Sequence, residues 1–384
     1  MRNRKKILFI SHDCSYSGAP ILLLNLLLLL QKNDRYDISV FIVRGGPLEQ
    51  KFALHFPVTV LKPTGYGKES NFFLKIKNVV TNRIKLLRLL SEAKKADMVF
   101  SNTIVNGLLL RQIHKVQKNI ITYVHELNGV LQFYRNGRIT ENTLNTSKKL
   151  AYPSLAVKNN LMANYKVKDE VLSGLNYYFP LEKINEGDEA IRTYANQLKN
   201  RFGLNDYFVV GSMGTCCDRK GTDLFVETCA LVIKENPKIH FCWIGPFESK
   251  QVEKQITEMV RARGLEKHIT FTGLLEHHYF NFAAFDLFFL SSREDPYPLV
   301  VLEAAAIKIP SLCFEESGGI PEFVSSDAGW VLPGMSVEKA ASKILELYQE
   351  KELIDIKGRT AQQKFLSLHA NEQLVLSQFE KLLL

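Results

Sequence analysis

Short apolar runs alternate with longer, periodically apolar stretches, and the alternation starts twice along the chain. In the first half, Lys6–Ser11, Asp37–Val43, Val58–Leu61, Asp97–Ser101 and Asn119–Val124 are brief and rich in β-branched or other apolar residues. Strands buried on both faces read this way. Helical patterns fall between them, around 19–31, 72–94 and 104–116. One more pair is expected downstream, with Leu155–Val157 as strand and Lys158–Tyr165 as helix. The second half begins again with strand-like runs at Tyr207–Ser212, Ile239–Ile244, Ile269–Thr272, Asp286–Leu290, Pro310–Phe314 and Gly329–Leu332. Helical patterns occupy 221–236, 249–264, 298–308 and 336–350.

Strands that alternate with helices predict parallel sheets covered on both faces. Two such series predict an α/β protein of two doubly wound, Rossmann-like domains, the first spanning 1–182 and the second 183–370. The polar stretch Glu182–Gln197, with its Asn185-Glu-Gly-Asp188, reads as the link. In doubly wound sheets ligands bind beyond the carboxyl ends of the strands. That directs attention to the loops at 12–18, 102–106 and 125–130, and to those after the strands of the second half.

The most informative of these loops is Ser291-Ser-Arg-Glu-Asp-Pro-Tyr-Pro-Leu-Val-Val-Leu-Glu303. It follows a strand and leads into an Ala-rich helix whose first turn suits Pro298. A helix start presents unpaired N–H groups, here those of Leu299, Val300 and Val301, to an anion. Glu303 is the only polar residue between Leu299 and Ile307, so burial is expected for it. A buried carboxylate needs donors, and ligand hydroxyls are one supply. Earlier, Gly214-Thr-Cys-Cys-Asp-Arg-Lys-Gly221 places Arg219 and Lys220 in a loop before a helix, an arrangement suited to a diphosphate leaving group.

An acidic residue, seven others, then Glu, in the context Ser-Arg-Glu-Asp-Pro-Tyr-Pro-Leu-Val-Val-Leu-Glu-Ala, resembles the donor motif of family 4 retaining glycosyltransferases. The turn Gly318-Gly-Ile-Pro-Glu322, the Lys220-Gly221 pair, Gly18 in the first loop and His125 after its strand are similar to other segments of that family. The resemblance implies the B-type glycosyltransferase fold, two domains facing across a cleft, with the final helix at 371–384 crossing back to the first. It implies a nucleotide-sugar donor whose ribose meets Glu303. Its diphosphate would meet Arg219, Lys220 and the helix start, and its sugar would meet Asp295 and His125, with Gly18 allowing close approach. Retaining transfer without a protein nucleophile, in polysaccharide assembly, follows from the same resemblance. The sequence shows no acidic cluster with metal-ligand spacing, so transfer without metal or cofactor is expected. The acceptor is expected to be a glycan or, from the charge distribution along the chain, a lipid-linked one. The chain departs from the family in having Ser17 where a first glycine stands, Asp295 where many relatives have Glu, and Gly214-Thr215 where most have Arg. A nucleotide-sugar epimerase of the same fold and a non-catalytic sugar-binding protein are the rival readings.

Charge adds one element. The net charge of +9 is uneven: residues 1–180 hold 27 Lys and Arg against 11 Asp and Glu. A half so basic is expected to face something anionic, and the reading is a membrane surface or charged glycan rather than a nucleic acid. Within it, Phe73, Ile76, Val80, Ile84 and Leu87 recur at helical spacing among Lys75, Lys85 and Arg88. The pattern alone leaves open whether that stripe packs on the sheet or meets a membrane. The six cysteines show no paired or metal-ligand spacing, which fits a reducing compartment. The longest apolar run, Ala19–Leu30, is too short to span a bilayer. A cytoplasmic protein, peripheral at the inner membrane face, is therefore expected.

Overall fold

The computed structural model describes residues 4–63, 72–181, 187–276 and 279–384, with side chains at 72–79, 188 and 279 outside that description. The chain divides into two compact units, Met1–Phe179 with Asn371–Leu384, and Pro180–Ala370.

The first unit runs β1 (Lys5–Ser11), α1 (Gly18–Gln31), β2 (Tyr36–Arg44), α2 (Glu49–His55), β3 (Val58–Lys62), α3 (Phe72–Lys95) and β4 (Met98–Ser101). It continues with α4 (Gly107–Ile113), β5 (Ile120–Tyr123), α5 (Asn128–Phe133), α6 (Ile139–Thr146), β6 (Lys149–Tyr152), α7 (Leu155–Tyr165) and β7 (Leu172–Gly174). Its strands form one sheet in the order β3-β2-β1-β4-β5-β6-β7, every pair parallel. The Leu-rich run of the first helix is core: Leu23, Leu27, Leu29 and Leu30 have almost no exposed surface. Among the described residues no helix is long and apolar enough to cross a membrane.

In the second unit the order is α8 (Gly187–Phe202), β8 (Phe208–Met213), α9 (Thr222–Glu235), β9 (Ile239–Ile244), α10 (Lys250–Ala262), β10 (Ile269–Phe271) and β11 (Leu287–Leu290). Then come α11 (Leu299–Ala306), β12 (Ser311–Phe314), α12 (Pro321–Val324), β13 (Gly329–Leu332), α13 (Val337–Gln349) and α14 (Lys351–Leu368). The sheet is again parallel, ordered β10-β9-β8-β11-β12-β13. Its core centres on aromatic contacts: the Phe225 ring lies 5.0 Å from Phe241 and 5.2 Å from Trp243, both edge-on, a favoured arrangement.

The last helix, α15 (Glu372–Leu382), belongs to the first unit. Val375, Phe379 and Leu382 are buried, and the Phe379 ring lies 5.8 Å from both Tyr36 and Phe100. Burying three such side chains contributes roughly 1.5–3 kcal/mol each. The ion pair Lys32–Glu372 (2.6 Å) and the bond from Tyr178 to Glu372 (2.7 Å) fix its first turn.

Two expectations from the sequence are corrected. Leu155–Val157 is the start of α7, because Ser154 caps that helix by accepting from the Val157 N–H (3.4 Å), and the strand lies earlier at Lys149–Tyr152. The polar stretch read as the link is largely the first three turns of α8, while residues 182–186 lie outside the described residues.

Candidate functional site

Strand order reverses once in each sheet, between β1 and β4 in the first and between β8 and β11 in the second. At such switch points the loops diverge and leave a crevice. Each unit holds a constellation of polar side chains at that place.

In the second unit the loop after β8 turns through Gly214, whose carbonyl accepts from Trp243 Nε1 (2.8 Å). A short 3-10 turn, Asp218–Lys220, leads into Gly221. Gly221 has φ +64°, and a Cβ there would meet the Ser291 carbonyl oxygen at 2.0 Å. Only glycine satisfies both conditions, so the β8 loop packs directly on the end of β11. Bonds across the seam hold it there. Arg293 N–H donates to the Arg219 carbonyl (2.9 Å), and Ser291 Oγ donates to that of Lys220 (3.1 Å). The Arg293 guanidinium forks onto Asp223 at 2.7 and 2.5 Å. Burial alone would raise the Asp223 carboxyl, but the fork outweighs it and holds the group below its ordinary range. The loops after β11 and β12 are joined the same way. Asp295 N–H donates to Ser317 O (2.7 Å) and Gly319 N–H to Asp295 O (3.1 Å). Gly318, at φ +117°, sits where a Cβ would lie 1.9 Å from that carbonyl.

The result is a fixed charge cluster. The Asp295 carboxylate, 6% exposed, accepts from the Lys220 ammonium, and the Arg219 guanidinium lies 3.7 Å from the same oxygen while donating to Glu294 O at 2.7 Å. Arg219 stays half-exposed. Sequence reasoning gave Arg219 and Lys220 to the diphosphate and Asp295 to the sugar; folding makes the three partners. Glu303 is buried in α11 at 7% exposure. The expectation of three open N–H groups at the start of α11 is corrected: the Val301 N–H turns back to Pro298 O (3.3 Å), leaving the starting turn to Leu299 and Val300. Pro298, extended at φ −66° and ψ 124°, is the cap rather than a helical residue, and its carbonyl is placed to accept that bond.

In the first unit His125 follows β5. Asn102 Nδ2 donates to Ala19 O (2.7 Å), which fixes the amide orientation and turns Oδ1 toward His125 Nε2 at 3.2 Å. Nδ1 faces the Tyr177 hydroxyl at 3.1 Å. The imidazole thus donates from Nε2 and accepts at Nδ1, the arrangement of a neutral ring. Burial, with the nearby His12 ring adding to it, pushes its pKa down to about 3. The expected sugar-facing histidine therefore has both ring nitrogens engaged within its own unit. Glu126 accepts from the His125 N–H (2.8 Å) and from the Thr103 hydroxyl, and burial lifts its pKa to about 7 despite these bonds. His12 Nδ1 is buried with no partner among the described residues. Gly18 opens α1 directly after the cap residue Ser17.

Asn102, Tyr177, His12 and the Arg293–Asp223 clamp escaped the sequence reading. Asn102 and His12 lie in loops that the strand pattern had marked, but only the folded chain shows which side chains in those loops meet. Among the described residues no three His, Cys, Asp or Glu gather as a metal site would require, and the six cysteines are buried thiols.

Two parallel α/β units with polar clusters at both switch points define the B-type glycosyltransferase fold, and comparison with known proteins agrees. Residues 3–160 match the family model described as glycosyl-transferase family 4, and residues 196–364 that of glycosyl transferases group 1. The chain belongs to glycosyltransferase family 4. Over 324 residues it is 23% identical to the amylovoran biosynthesis glycosyltransferase AmsK of Erwinia amylovora, covering 80% of this chain and 74% of that one. It is 22% identical over 178 residues to the alpha-D-kanosaminyltransferase of Streptomyces kanamyceticus, covering 46% of this chain and under half, 45%, of the relative. Anabaena HepE, solved in complex with UDP and glucose, superposes with a TM-score of 0.80 at 17% identity over 99% of both chains.

Proposed function

We propose that this protein moves a sugar from a nucleotide-sugar donor to a glycan or lipid-linked acceptor, in cell-surface polysaccharide assembly. Transfer would retain the anomeric configuration and proceed without a metal ion or resident cofactor. The observation that carries the reading is the Lys220–Asp295–Arg219 cluster at the switch point of the second sheet. Preorganised cations there stabilise a departing diphosphate as its charge develops. Glu303 is the group we assign to the ribose hydroxyls, Leu299 and Val300 to a phosphate oxygen, and Asp295 and His125 to the sugar. His125 acts as a neutral, oriented ring, since its low pKa excludes an imidazolium at neutral pH. The AmsK and HepE likenesses support a polymer-building role and a UDP-type donor respectively.

A thermal-shift screen against UDP-, GDP-, ADP- and TDP-sugars tests donor binding first. A ligand at about 100 times its Kd stabilises by roughly 2.7 kcal/mol. NMR of the product then reads anomeric configuration, and assays with and without chelator read the metal requirement. An epimerised nucleotide-sugar formed without acceptor would overturn the transferase reading, and binding without turnover would favour a sugar-binding protein.

A further inference from the structure

Helix α3 carries an apolar stripe on the wrong face for a core. Its sheet-facing side is made by Leu86, Leu89, Leu90 and Ala93, with Leu89 and Ala93 fully buried. The opposite side exposes Val80 by 52%, Ile84 by 59% and Leu87 by 67%. At about 100° per residue these three fall within about 60° of one another around the axis. On the same projection Arg88 and Lys95 lie along one flank and Arg83 and Lys94 along the other, all exposed. The helix holds one acidic residue, Glu92, which is only half-exposed. Lys85 does not join the array, because its ammonium donates to Val60 O at 2.6 Å and ties α3 to β3. Phe73, Lys75 and Ile76 lie outside the described side chains.

We propose that this outward face of α3 docks on an anionic lipid bilayer, apolar ridge in the acyl boundary and cations among the headgroups. The claim stands apart from the assignment of the donor site. Two features choose a bilayer over a protein. Three apolar side chains along two turns are far too small for a stable interface, which buries about 800 Å² on each partner. A second copy of this chain meeting the same face across a two-fold axis would set its arginines and lysines against their own counterparts. An apolar ridge between rows of cations is instead the form of an interfacial helix, held by apolar burial plus attraction to anionic lipid.

The test is sedimentation of the purified full chain with vesicles of phosphatidylcholine alone and of phosphatidylcholine mixed with phosphatidylglycerol. Binding is expected on the mixed vesicles and to weaken as salt shortens the electrostatic range. The Arg83→Glu/Arg88→Glu variant is expected to lose at least about tenfold in partition at low salt. The Ile84→Asp/Leu87→Asp variant is expected to lose binding to mixed vesicles while keeping both flanking charge rows. Thermal melting and the nucleotide-sugar shift of both variants should match the parent, which separates a failed surface from a damaged fold or a wrong donor assignment. Equal sedimentation with neutral and mixed vesicles at low salt would overturn the proposal. So would a dimer in analytical ultracentrifugation that Ile84→Asp/Leu87→Asp dissolves, since the face would then belong to a second copy.

Discussion

Lys220 and Asp295, 75 residues apart in sequence, form an ion pair in which both side chains are largely withdrawn from solvent. They come from the loops on either side of the switch point, and the seam at Gly221 and Gly318 leaves them little freedom. Removing one partner strands the other. For Lys220→Ala the nearest cation left to the Asp295 carboxylate among the described residues is Arg219 at 3.7 Å, and the expected loss is about 3–5 kcal/mol. Both tryptophans, Trp243 and Trp330, lie in the second unit, so tryptophan fluorescence during urea unfolding reads that unit alone. The double variant Lys220→Met/Asp295→Leu should recover much of the loss. An additive double variant would mean that the two residues do not interact.

Glu303→Gln should weaken donor binding with little change in stability beyond that of a buried polar swap. A carboxylate accepting from two ribose hydroxyls makes charge-assisted bonds, each worth about 1.5–3 kcal/mol. Calorimetric titration with the nucleotide-sugar found in the thermal screen should show at least about a tenfold rise in Kd. Parental affinity in a folded Glu303→Gln protein would remove Glu303 from the ribose site.

How much of this was legible beforehand depends on the range of the interaction. Strand and helix periodicity is local, so the two parallel sheets and most of their elements could be read from the chain. The helical pattern at 19–31 became α1, and its leucines are buried together with Asn25, whose side chain donates to Tyr178 O. Leu155–Val157 misled because a short apolar run suits a strand or a helix start equally, and Ser154 decides between them. The partnerships at the site are non-local: Asn102 reaches Ala19 and His125, and Arg293 reaches Asp223. No spacing along the sequence encodes such pairs. The α3 stripe is the intermediate case: its amphipathicity was visible, but which face met the sheet was settled only by the buried Leu89 and Ala93.

His125 should stay neutral well below the usual histidine range. With both nitrogens engaged and a pKa near 3, its ring carbon proton should not titrate in NMR spectra between about pH 8 and pH 5. Asn102→Ala removes the acceptor for the Nε2 proton and the tie to Ala19 that orient the ring, so turnover should fall more than donor affinity. Asn102→Asp, which keeps an acceptor but adds a negative charge beside Nε2, should raise the pKa. A ring that titrates normally in the parent protein would refute the depressed pKa and with it the neutral, buried role proposed for His125.

Glu126 supplies the opposite pH slope in the same loop. Its folded pKa of about 7 stands above the ordinary 4.5, so between these values the folded chain holds a proton that the unfolded chain has released. Its contribution to stability is therefore full below about pH 4.5 and is lost as pH rises through about 7. Over that window the difference amounts to about 3 kcal/mol at most. His125 acts in reverse: its folded pKa is depressed, so stability falls as pH drops below about 6.5. The two partly cancel in the parent protein, which makes wild-type stability a poor readout. Glu126→Gln removes one slope and keeps one acceptor oxygen for the His125 N–H, its amide nitrogen facing the Thr103 hydroxyl, which can turn to accept from it. The Tm of Glu126→Gln minus that of the parent, followed by circular dichroism at matched pH, should therefore rise from about pH 5 to about pH 7.5. A difference that stays level across that range would show that Glu126 is ionised in the folded chain, and that its bonds from Thr103 and the loop backbone outweigh its burial.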